Sequence, residues 1–162
     1  MLEKLKRFLV LPLLFVILSA CGVIDTLEEV ALETDRSAEE EFSIVEGEFY
    51  SDPQDVVDYI DAYGELPDNY ITKNEARDLG WDAKAGNLWA VAPDMSIGGD
   101  YFGNFEGLLP EENGREYTEA DVNYEGGHRG PERLVFSDDG LYFYTDDHYD
   151  SFIELKPGGE SQ

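Results

Sequence analysis

Apolar residues change their spacing once along this chain, and that change limits the fold more than any other feature of the sequence. Up to about residue 92 the spacing is helical. Asp52-Pro53 is a helix start, with Asp as cap and Pro at the first helical position. Val56, Val57, Ile60 and Tyr63 then recur on one helical face, and Gly64 can end the helix in a left-handed conformation. A second start follows at Thr72-Lys73-Asn74-Glu75, where Thr72 and Glu75 fit a capping box. Ala76 and Leu79 are expected to face inward, with Gly80 closing the helix, and a short third helix is expected from Asn87 to Ala92. From residue 95 the texture is that of strands. Ile97 precedes Gly98-Gly99, read as a turn. Arg115 to Tyr124, Arg133 to Ser137 and Leu141 to Thr145 alternate or are rich in aromatic and β-branched residues. Ser137-Asp138-Asp139-Gly140 marks a hairpin between the last two. Helices first and strands second predict an α+β fold, N-terminal helices packed on a C-terminal antiparallel β-sheet. Spacing alone does not choose among small α+β folds.

The first residues lie outside this scheme. Lys4, Lys6 and Arg7 precede an apolar run from Phe8 to Leu18 that is short for a bilayer span and has the layout of an export signal. It ends in Leu18-Ser19-Ala20-Cys21-Gly22, similar to a bacterial lipoprotein cleavage box in which Cys21 is lipidated. Plain secretion with cleavage after Ala20 is the alternative. Cys21 is the sole cysteine, so one chain can form no disulfide. The expected organisation is an export signal with lipobox over 1–21, an acidic tether over 22–48 and a folded domain over 49–162. The chain carries 11 Lys+Arg against 37 Asp+Glu, a net charge of -26. Residues 49–162 hold seven of those cations and 26 of those anions, a balance of -19. Such a field repels polyanions at long range, and taken alone it argues against nucleic-acid binding. High salt screens that repulsion.

Blocks of sequence point the other way. Leu66-Pro67-Asp68-Asn69-Tyr70-Ile71-Thr72-Lys73, Leu79-Gly80-Trp81, Gly86-Asn87-Leu88 and Val91-Ala92-Pro93 stand in order in the first half of the domain. Ser96-Ile97-Gly98-Gly99-Asp100, Glu119-Ala120-Asp121-Val122-Asn123-Tyr124 and Asp147-His148-Tyr149 follow. In order and spacing, from about Val56 to Ile153, these blocks resemble the barnase-type, guanyl-specific microbial ribonucleases. The signal, the tether and the acidity are not typical of that family.

The resemblance implies a reaction that needs no metal or cofactor. RNA carries its own nucleophile, the 2′-OH; a base takes its proton, an acid protonates the leaving 5′-oxygen, and cations stabilise the phosphorane. One cysteine and two histidines offer no transition-metal cluster, and no loop has EF-hand spacing, although carboxylate sites for Ca²⁺ stay open on so acidic a chain. By the resemblance Glu119 is the base and His148 the acid, a residue type that can hold and release a proton near neutrality. On a strand Tyr117, Glu119, Asp121 and Asn123 share one face. Asp146, Asp147 and Asp150 surround His148 in sequence and should favour its protonated form. Arg129 and Arg133 match the family's phosphate-clamping arginines. Lys73 has an argument of its own: a cation in the first turn of a helix opposes the dipole and becomes useful when an anion binds there, simple solvation being the alternative.

Base recognition is expected from Phe102-Gly103-Asn104-Phe105-Glu106. The resemblance gives backbone N–H groups to guanine O6, Glu106 to guanine N1 and N2, and Asn104 to shaping the loop. Tyr149 matches an aromatic that can stack on a base; core packing is the alternative, more so for Phe102. Asp100 is expected to support the site by pairing with a basic residue, and His128 is read as a loop residue. Phe105 and Leu108 stand where the type member of the family has cations, which lowers the expected affinity for phosphate. The expected function is therefore an extracytoplasmic endoribonuclease, cutting single-stranded RNA 3′ of guanosine through a 2′,3′-cyclic phosphate. It is expected to be monomeric, secreted or held at the membrane by a lipid on Cys21, with a barstar-like protein inhibitor as the partner the family implies. Two alternatives remain: an RNA- or nucleotide-binding relative with little turnover, and an acidic surface that binds cations or basic partners.

Overall fold

The computed structural model describes residues 43–159; Cys21, the export signal and residues 22–42 of the expected tether lie outside them. The elements are α1 (Pro53–Tyr63), β1 (Tyr70–Ile71), α2 (Lys73–Asp78), α3 (Leu88–Val91), β2 (Ser96–Phe102), β3 (Tyr117–Asp121), β4 (Arg133–Ser137), β5 (Tyr142–Thr145) and β6 (Ile153–Leu155), ending in a 3₁₀ turn (Pro157–Gly159). The strands form one six-stranded sheet in sequence order. β1 pairs parallel with β2 and every other pair is antiparallel. The sheet is thus mixed, which corrects the all-antiparallel expectation. The cause is β1: two residues between a turn and a helix carry no alternation from which a strand could be read.

The helix signals act as written. The Asp52 side chain accepts from the N–H groups of Gln54 and Asp55, and Gly64 closes α1 at φ 78°. Thr72 and Glu75 form the reciprocal capping box of α2. One face of α1 lays Val56, Val57 and Ile60 against Val122, Leu134 and Tyr142 of the sheet side. Ala76, Trp81, Leu88, Ala92, Ile97 and Tyr124 make a second cluster around α2 and α3. Before α1, the main chain at Ile44, Val45 and Gly47 hydrogen-bonds to the hydroxyls of Tyr63, Tyr50 and Tyr59. One inward assignment changes: Leu79 is 56% exposed because α2 ends after six residues. Tyr63, at the end of its helical face, is half-exposed against Tyr59.

Gly98-Gly99 is not a turn. Both glycines lie inside β2, where the register with β3 shifts between Gly98 and Asp100. A Cβ on Gly98 would fall 2.6 Å from the Tyr70 ring and 3.0 Å from Ala120 Cβ, and Gly99 has φ 89°. The pair lets β1 approach closely and makes a bulge that bends the strand, a use of glycine that the sequence does not distinguish from a turn. β3 also stops short of the expected span. Asn123 adopts φ 51° and donates to Glu132, so it leaves the face that Tyr117, Glu119 and Asp121 share.

Candidate active site

Alternation along β3 decides where the chemistry goes. Ala120 pairs with Leu134, which packs under α1, whereas Glu119 pairs with Val135 and Asp121 with Arg133. Val135 belongs to the third cluster with Leu109, Tyr117 and Phe143, on the opposite face of the sheet. Glu119, Asp121 and Arg133 therefore stand on the face turned away from α1.

Glu119 is buried, and each of its carboxylate oxygens has a donor. The ammonium of Lys73 pairs with Oε1, and the Tyr149 hydroxyl donates to Oε2. Burial pushes the carboxyl up, but the hydrogen bonds from Lys73 and Tyr149 and the charges of Lys73 and Arg129 outweigh it and hold Glu119 below the ordinary value. Burial and the adjacent carboxylate together push the Tyr149 phenol up, which keeps it a donor. Lys73 owes its place to α2. Its ammonium finds its counter-anion in Glu119, while its backbone N–H donates to Asp100 Oδ2 at 2.9 Å. Among the described residues Asp100 pairs with no basic side chain. Its contact with Lys73 is through the main chain, in place of the expected pairing with a basic side chain.

A second charged group stands beside the first. Arg129 donates to both oxygens of Asp121 from Nε (2.6 Å) and Nη2 (2.5 Å), and Arg133 Nε lies 3.0 Å from Oδ1. Burial pulls the Arg129 guanidinium down, and Asp121 more than restores it, leaving it raised. Arg133 is further fixed by Nη1 donating to the carbonyls of Gly130 and Glu132. Asp121 is itself 2% exposed, and its carbonyl accepts from Tyr70 at 2.9 Å. Sequence reasoning gave Asp121 no role. A carboxylate two residues from Glu119 on the same strand face, with two arginines expected nearby, was the available signal.

His148 follows β5 in a loop tied by its neighbours. Asp147 accepts from the hydroxyls of Thr145 and Ser151 and from the Ser151 N–H, and the Tyr149 N–H donates to Thr145 Oγ1. Those hydrogen bonds pull Asp147 down to about 2. They also hold His148 and Tyr149 at φ 61° and 73°, a left-handed pair that costs roughly 1–2 kcal/mol per residue. His148 is exposed, with its ring 6.2 Å from that of Tyr149. Tyr149 in turn packs on Phe102 at 5.3 Å.

Phe102 begins the expected base-binding loop. Asn104 (φ 43°) bridges it, donating to the Leu109 carbonyl and accepting from the Leu109 N–H, both at 3.0 Å. Tyr117 and Arg115 both donate to the Pro110 carbonyl, and Arg115 clamps Asp139 on the β4–β5 turn, so the loop's far end is fixed to the sheet. Glu106 is exposed and has no hydrogen-bond partner among the described residues. The structure thus brings Lys73, Glu119, Tyr149, Arg129 and Arg133 together, with Asp100 behind them and His148 and Phe102 beside Tyr149. Glu106 stands apart on its loop.

Residues 53–156 match the ribonuclease family. A ribonuclease of Heyndrickxia coagulans is 54% identical over 101 residues, covering 62% of this chain and 93% of that protein. A ribonuclease of Bacillus intermedius is 54% identical over the same length, 62% of each chain. Guanyl-specific ribonuclease St of Saccharopolyspora erythraea is 47% identical over 55 residues, 33% of this chain and 54% of that protein. The chain belongs to the ribonuclease family, in its barnase-type microbial branch.

Proposed function

We propose that this chain is a guanyl-preferring endoribonuclease that cleaves single-stranded RNA by transphosphorylation and acts outside the cytoplasmic membrane. The observation that carries the reading is an ionised, buried Glu119 ringed by Lys73, Arg129 and Tyr149, with His148 on the adjoining loop. Glu119 takes the proton of the 2′-OH, and the 2′-oxygen attacks phosphorus. His148 gives a proton to the departing 5′-oxygen, and a 2′,3′-cyclic phosphate results. Lys73, Arg129 and Arg133 stabilise the charge on the phosphorane. Guanine is read by the main chain of the Phe102–Glu106 loop and by the Glu106 carboxylate. The bridged loop supports this reading, as does the name of the guanyl-specific relative.

The test is cleavage of matched RNA and DNA in the presence of EDTA. RNA with guanosine should yield cyclic-phosphate ends, and DNA of the same sequence should be spared for want of the 2′-OH. Cleavage of the DNA, or no cleavage of RNA until metal is added, would overturn the mechanism. The proposed location rests on Cys21 in its lipobox-like setting. The wild type should fractionate with membranes and Cys21→Ser should not; wild type found wholly in the medium with a free Cys21 thiol would replace the tether by plain secretion.

A further inference from the structure

Phe105 is 92% exposed, more than any other large apolar side chain among the described residues. A single exposed Phe is ordinary on a protein surface, so exposure alone assigns nothing. Its setting says more. A Cβ on Gly103 would lie 2.3 Å from Cε2 of the Phe105 ring and 2.6 Å from Cζ, so the ring is seated on the Gly103 backbone, and a side chain there would displace it. The loop below is held by the two Asn104–Leu109 hydrogen bonds and by the Gly107 N–H donating to the Asn104 carbonyl at 3.0 Å. Leu109 is buried and anchors that loop in the third cluster. The ring is supported on one side and open to solvent on the other.

Charge narrows what can bind there. No Lys or Arg occurs between Lys84 and Arg115, while Glu106, Glu111 and Glu112 do. Arg115 is already engaged with Asp139 and the Pro110 carbonyl. The loop itself therefore offers no cation to a phosphate, whereas stacking needs none. Resting on the ribonuclease reading, we propose that Phe105 is a nucleobase-stacking subsite. The base of a nucleotide adjoining the cleaved guanosine packs on the open side of the ring. Stacking on an aromatic side chain changes affinity by roughly 5- to 150-fold per base and tolerates any base, and a surface ring belongs near the low end of that range.

The experiment uses pentanucleotides with one central guanosine, whose neighbours carry uracil or are abasic. A central 2′-deoxyguanosine removes the nucleophile, so fluorescence anisotropy with the full chain reads binding without turnover. Wild type should bind the base-bearing strand about tenfold more tightly than the abasic one. Phe105→Ala should lose that preference and Phe105→Trp should keep it, with circular dichroism confirming the fold of each. The preference should persist as salt is raised, because no ion pair is involved. An equal preference in wild type and Phe105→Ala overturns the subsite, as does a preference that vanishes with salt; the ring is then an ordinary exposed side chain. The all-ribose strands separate this from the parent reading. Cleavage with no role for Phe105 removes the subsite alone, and base-dependent binding without cleavage removes the ribonuclease reading alone.

Discussion

His148→Ala and Glu119→Ala should each lower kcat/KM on RNA by about 10²–10⁴-fold or more, the range for a general acid or base, with the fold retained. His148→Ala should be the more damaging. Water accepts the proton of the 2′-OH more readily than it donates one to a poor leaving group. His148 is exposed and hydrogen-bonded to nothing among the described residues, so its loss should not disturb the loop that Asp147 holds. Glu119 is different, because its carboxylate neutralises Lys73. Glu119→Gln, which keeps the shape and an acceptor, is the better probe of the base alone. The same contacts set a pH dependence. Glu119 is held below the ordinary carboxylate value, so the acid limb of kcat/KM should lie below the usual range for a carboxylate base. Tyr149→Phe removes one hydrogen bond to the ionised form, which raises the folded-state value and moves that limb to higher pH. An acid limb that stays in place in Tyr149→Phe would show that the hydroxyl does not tune the base. Near-wild-type turnover in His148→Ala or Glu119→Gln would remove that residue from the reaction.

Much of this site was legible in the sequence, for reasons that differ by residue. Caps are local: Asp52-Pro53 and Thr72-Lys73-Asn74-Glu75 satisfy their own helix ends, so α1 and α2 start where the chain says they do. Alternation puts Glu119 and Asp121 on one face whatever the partner strand is. The partners of those carboxylates were not legible, because they depend on distant chain segments. Lys73 meets Glu119 across 46 positions, and Tyr149 meets it across 30. Gly98-Gly99 carries the same letters whether it turns or bulges; the Tyr70 ring, brought in by a strand of two residues, decides for the bulge. The inward assignment of Leu79 failed because a six-residue helix has too few turns to bury a full stripe. Asp121 went unread for a related reason: a carboxylate is given its role by the cations it meets, and Arg129 and Arg133 reach it from a loop and from the next strand.

Asp121 is where the largest effect on stability should appear. Its carboxylate lies between two guanidiniums whose side chains are 20% and 4% exposed. Removing one partner of a buried ion pair leaves uncompensated charge and costs about 3–5 kcal/mol. Here a single deletion strands two cations side by side. Asp121→Ala should therefore lose at least about 3 kcal/mol in urea unfolding, read from the midpoint at an unchanged m-value. The activity should fall as well, because Arg129 then loses both side-chain hydrogen bonds that hold it in the position proposed for the phosphorane, and Arg133 keeps only its bonds to the Gly130 and Glu132 carbonyls. Asp121→Asn separates the two consequences. An amide keeps the shape and one acceptor oxygen for Arg129, so more of the fold's stability should survive, while the local charge rises by one. That charge has a signature which loss of packing does not share. With the carboxylate gone, the arginines should bind inorganic phosphate more tightly, and phosphate should raise the urea midpoint of Asp121→Asn by more than it raises that of the wild type. Equal phosphate responses would mean that Asp121 does not compete with the substrate's phosphate for the two arginines. An unchanged midpoint in Asp121→Ala would mean that solvent, rather than Asp121, satisfies the pair.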